Sequence, residues 1–92
     1  MNIATAIRRI AIGQDRAIAS DYKWRKAGNN WWAGNIDGVS VDVRYFSANK
    51  PGLCRITGQP WKEFVYGGSL PTMKRRAIDL VEAAKEQEGT LP

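Results

Sequence analysis

The chain has no histidine and a single cysteine, Cys54. That combination removes the Ser-His and Cys-His nucleophile pairs and the ordinary zinc sites, which draw on residue types missing here or present once. The carboxylates Asp15, Asp21, Asp37, Asp42 and Glu63 are scattered and fall where turns, pairs or caps explain them. No glycine-rich phosphate loop of the Walker or Rossmann kind is present. Catalysis is therefore not expected, and neither is a metal or a cofactor. The chemistry on offer is binding. Cations are interleaved with aromatic rings in Lys23-Trp24-Arg25-Lys26, then in Trp31, Arg44 and Phe46, then in Trp61-Lys62. Rings beside cations serve single-stranded nucleic acid by stacking and phosphate neutralisation. They serve protein hot spots equally well, and some of these tryptophans can simply be core.

Charge favours an anionic partner. The net charge is +5, unevenly spread: residues 1–76 hold 13 Lys/Arg against 5 Asp/Glu, and residues 77–92 are net −3. A basic body with an acidic tail suits a polyanion, most often nucleic acid. With 43% apolar and 25% charged residues, the chain has the composition of a globular protein rather than a disordered one. A lone cysteine cannot form an internal disulfide, which points to a reducing cytosol. No apolar run approaches membrane-spanning length, and Arg8 and Arg9 interrupt any signal-peptide core.

The elements that position these residues follow from spacing. Ile3, Ile7, Ile10, Ala11, Ala17 and Ile18 recur at helical intervals, so residues 2–20 read as a helix with that stripe buried. Arg8, Arg9 and Arg16 fall away from the stripe. Arg9 and Arg16 share a face, and Gly13 could bend the helix. A basic amphipathic helix can also lie on a membrane, but this stripe has no aromatic anchor.

Residues 30–46 read as a hairpin around Asp37-Gly38, the dipeptide that a type I′ turn prefers. A two-residue turn fixes the register. Ile36 faces Val39, Gly34 faces Val41 and Trp32 faces Val43; these form the inner, apolar side, with Trp32 in the core. On the other side Asn35 faces Ser40, Ala33 faces Asp42 and Trp31 faces Arg44, a geometry suited to cation–π stacking. Lys23, Arg25 and Lys26 then lead up to that outer surface. Further strands are expected over residues 53–57 and 61–66, with turns at Asn49-Lys50-Pro51-Gly52 and Gly58-Gln59-Pro60.

Residues 70–88 read as a second helix, with Met73, Ala77, Leu80, Val81 and Ala84 buried and Gly89 as its C-cap. Its charges oppose the helix dipole: Lys74, Arg75 and Arg76 crowd the start, and Glu82, Glu86 and Glu88 gather at the end. A helix start dressed in cations suits phosphate oxygens.

The order helix, antiparallel strands, helix, with Lys74-Arg75-Arg76 opening the last helix, is similar to the double-stranded RNA-binding domain. In that family such a cluster grips phosphates. Three strands followed by a helix also resembles the small DNA-binding domains of plant AP2 factors and phage integrases. Across the whole chain, the compact size, the opening MNIATAIRRIAIGQDRAIASDYKW and the lack of enzyme motifs look like a small phage-encoded anti-CRISPR protein, most like inhibitors of the type I-F surveillance complex. That resemblance carries no motif and transfers no residue. It implies an inhibitor in the host bacterial cytoplasm that docks on the complex of Cas proteins and crRNA and blocks target DNA. A chain of +5 cannot imitate DNA, so the exposed guide RNA is its expected anionic foothold.

The expectation is an α+β fold: an antiparallel sheet of three or four strands with an N-terminal and a C-terminal helix. The expected contact residues are Arg9, Arg16, Lys23, Trp24, Arg25, Lys26, Trp31, Arg44, Lys74, Arg75 and Arg76. The competing expectation is a free-standing nucleic-acid-binding domain.

Overall fold

A computed structural model describes residues 3–90. The chain folds as helix α1 (Ile3–Ala19), strands β1 (Lys23–Gly28), β2 (Trp31–Ile36), β3 (Val39–Arg44), β4 (Gly52–Ile56) and β5 (Lys62–Phe64), then helix α2 (Leu70–Thr90). The strands form one antiparallel sheet in the order of the chain, β1-β2-β3-β4-β5. The class is α+β as expected, with five strands instead of three or four.

The extra strand is β1. Its Lys23, Arg25 and Lys26 argue against a buried strand, so composition hides it. It is an edge strand, where cations suit exposed backbone and deter pairing with another chain. Asn29 and Asn30 join it to β2, with Asn30 at φ 53, a left-handed conformation that asparagine tolerates better than most residues.

The β2–β3 hairpin has the anticipated register, from Ile36 opposite Val39 to Trp31 opposite Arg44. Asp37 (φ 53) and Gly38 (φ 90) form the turn, and Gly38 N–H donates to Asn35 Oδ1 at 2.8 Å. Helix α2 starts where Ser69 caps it. The Ser69 Oγ accepts from Thr72 N–H at 3.1 Å, and Ser69 C=O accepts the first helical bond from Met73. The helix runs through Gly89 to Thr90, so Gly89 is not its C-cap.

One side of the sheet is packed. Ile36, Val41, Val43 and Cys54 meet Met73, Ala77, Ile78 and Val81 of α2, all fully buried. Burial pushes the Cys54 thiol up to about 11, against the weaker pull of Arg76 and Lys62. It is a protonated, inert core group at neutral pH.

Trp24, not Trp32, is the tryptophan packed on this core. Its ring lies over Gly34, and its Nε1–H donates to Ala19 C=O at 2.9 Å, tying β1 to the end of α1. Trp32 is on the same side but half-buried and outside the packed cluster, with Lys26 Nζ 5.9 Å from its ring centroid. A Cβ at position 34 would sit 2.5 Å from Trp24 Cε3 and 2.6 Å from Cζ3. The Gly34→Ala variant should therefore lose about 2–3 kcal/mol of stability, because Trp24 cannot shift without breaking its bond to Ala19. A urea midpoint unchanged from wild type would show that Trp24 is not held there.

The apolar stripe of α1 is not buried as expected. Ile3, Ile7 and Ile10 are exposed, whereas Ala19 is buried and Ile18 packs against the core. Gly13 does not interrupt the helix.

Candidate binding face of the sheet

Side chains alternate between the two sides of a strand. With α2 on the side of Val41 and Val43, the other side carries Lys23, Arg25, Trp31, Ala33, Asn35, Ser40, Asp42, Arg44, Leu53 and Arg55, placed there by the strand register.

This open face is organised around Asp42, the one buried polar or charged residue among those described. Its Oδ1 accepts from Trp31 Nε1–H at 3.1 Å. Its Oδ2 accepts from Arg55 Nε–H and from Thr57 Oγ–H, both at 3.0 Å. A carboxylate at 5% exposure is tolerable because its oxygens are matched by donors, one of them cationic. The result is an aromatic wall held in place. Trp31 meets Trp61 edge-to-face at 6.5 Å between centroids, and the Arg55 guanidinium sits 4.2 Å from the Trp61 centroid.

The cation–π pairing of Arg44 differs from expectation. Arg44 is opposite Trp31, but its guanidinium is turned to Phe46, 5.5 Å from that centroid. Its Nε is a buried donor without a hydrogen-bond partner. Beside the wall is a shallow depression of about 400 Å³ lined by Lys23, Arg25, Asn35, Ser40, Asp42 and Thr57. The face thus offers rings for stacking, hydroxyl and amide groups for hydrogen bonds, and Lys23, Arg25, Arg44 and Arg55 against Asp42 and Glu63.

The expected contact residues do not form one surface. Lys23, Arg25, Trp31 and Arg44 share the open face. Trp24 and Lys26 are on the helix side. Arg9 and Arg16 are exposed on α1. The three cations opening α2 each have a partner within the chain. Lys74 Nζ is 5.2 Å from the Trp24 centroid, and burial lowers its pKa. Arg75 Nε–H donates to Asp79 at 2.9 Å. Arg76 donates to Tyr66 C=O at 3.0 Å and lies 4.4 Å from the Phe64 centroid.

Sequence reasoning missed Asp42, Arg55 and Thr57 as organisers of the site. An aspartate between two valines in V-D-V-R, facing away from them, was the available signal. Two of its three partners, Arg55 and Thr57, come from β4 and the residue after it, beyond the irregular segment 45–51, so spacing alone does not pair them.

Among the described residues, no group of three or more His, Cys, Asp or Glu could hold a metal ion, and no helix is long and apolar enough to cross a membrane. The chain matches no family model, no curated protein and no solved structure.

Proposed function

We propose that this protein is a non-enzymatic anti-CRISPR inhibitor of the crRNA-guided type I-F surveillance complex in the host bacterial cytoplasm. It sets the open face of its sheet against the guide RNA and adjoining Cas backbone subunits and keeps target DNA from hybridising. The observation that supports a binding role is that open face: a pinned Trp31–Trp61 pair beside a depression lined by both polar and apolar groups, flanked by Lys23, Arg25 and Arg44. Bases stack on such rings, and cations neutralise the phosphates between them. The anti-CRISPR assignment itself comes from the resemblance of the whole chain, to which a net charge of +5 adds a guide-RNA foothold.

The same face supports a second reading, a free-standing nucleic-acid-binding domain. Purified components separate the two. The inhibitor should co-elute with the assembled complex, abolish its target DNA binding, and hold naked RNA weakly. A free-standing domain should shift naked RNA or DNA strongly, with affinity falling steeply as salt rises because phosphate contacts release counterions. Full target DNA binding by the complex in saturating protein sinks the inhibitor assignment.

A further inference from the structure

Helix α1 turns its apolar side away from the body. Ile3, Ile7 and Ile10 are 79%, 60% and 62% exposed, and Ala4 and Ala17 are exposed with them. At 100° per residue these side chains share one side of the helix. The body is held instead by the C-terminal turns, where Ala19 is buried and Asp15 accepts a hydrogen bond from Thr72 at 3.2 Å. Thr72 is in the first turn of α2, and Arg8, Ala11 and Ile12 face the loops leading into it. Roughly three turns of α1 therefore stand beyond the start of α2. Behind them is a groove of about 420 Å³ lined by Arg8, Ala11, Ile12, Tyr66, Gly68 and Thr72.

We infer that the first half of α1 is a docking helix whose partner is a protein surface with an apolar groove rimmed by carboxylates. Ile3, Ile7 and Ile10 have the i, i+4, i+7 spacing by which helices anchor in such grooves. Charge selects the rim. Helix α1 carries three cations, Arg8, Arg9 and Arg16, and one acid, Asp15. A second copy would set +5 against +5. Three isoleucines per copy also fall short of the ~800 Å² per partner that a stable flat pairing covers. A groove wraps the helix and covers the alanines and the arginine stems as well. A lipid surface would accept the cations, but the stripe lacks the Trp, Phe or Leu that interfacial helices insert.

The inference rests on the proposed function, which supplies the probe: the purified type I-F complex. Ile7 and Ile10 are exposed, so an Ile7→Ser/Ile10→Ser protein should keep the wild-type melting midpoint. It is expected to bind the complex at least tenfold more weakly. Ile7→Leu should bind as wild type does, and Arg8→Glu should bind severalfold more weakly, with the deficit shrinking at high salt. Equal binding by the double variant and wild type overturns the docking helix and leaves the proposed function standing. No binding by wild type removes both. A concentration-dependent dimer in sedimentation that Ile7→Ser dissolves would give the face to a second copy. Pelleting with phosphatidylcholine/phosphatidylserine vesicles that Ile7→Ser abolishes would give it to lipid. Either result overturns the inference.

Discussion

Replacing Asp42 by alanine is expected to lower the thermal midpoint by roughly 10–20 °C, the equivalent of about 2–3 kcal/mol in a domain this size. Three donors lose their acceptor at once: Trp31 Nε1–H, Arg55 Nε–H and Thr57 Oγ–H. Removing one partner of a fully buried ion pair costs about 3–5 kcal/mol. Arg55 keeps 24% of its side chain in solvent and its stacking on Trp61, so the loss here is smaller. Thr57 is exposed and turns to water at little cost. Asp42→Asn should lose less, because its amide oxygen still accepts one bond and the shape is kept. The second consequence is at the surface. Without Asp42 the Trp31 indole and the Arg55 guanidinium keep only their contacts with Trp61, and partner affinity should fall even at temperatures where the variant is folded. Thermal melts of Asp42→Ala and Asp42→Asn beside wild type test the hub. Identical midpoints for all three would remove it as the organiser of this face.

Trp31→Ala is expected to weaken binding through the open face by roughly 5- to 150-fold, the range that follows from losing about 1–3 kcal/mol of stacking. Its stability cost is smaller, about 1–2 kcal/mol for the edge contact with Trp61 and the bond to Asp42. Trp31→Phe separates the two roles. It keeps a ring and discards the Nε1–H, so it should recover most of the affinity while still lacking the hydrogen bond. A phenylalanine variant as weak as the alanine variant would mean that the indole N–H, rather than stacking, matters at this position.

The hairpin was legible in the sequence because Asp37-Gly38 is a strong local signal and a two-residue turn leaves only one register. That register placed Trp31 on the outer side and Trp32 on the inner side. Depth was less legible. Trp32 is on the inner side but half-buried, because Trp24 occupies the packed position over Gly34. Trp24 was hidden within a strand whose cations do not look like a strand. Periodicity identified α1 but not the direction of its apolar side: the isoleucine stripe faces solvent, and the turns that grip the body contain Asp15, Ile18 and Ala19. The cations of α2 illustrate the same limit. Their position against the helix dipole suggested phosphate binding, and spacing alone did not show that Trp24, Asp79 and Phe64 also engage them within the fold.

The central claim is that the open face, with Trp31 on it, is where this protein meets the guide RNA. The most direct measurement is target DNA binding by the purified type I-F complex, titrated with wild type, Trp31→Ala and Trp31→Phe proteins confirmed as folded at the assay temperature. The prediction is that wild type abolishes DNA binding, Trp31→Phe nearly matches it, and Trp31→Ala needs a concentration roughly 5- to 150-fold higher. Inhibition by Trp31→Ala at the wild-type concentration would contradict the claim.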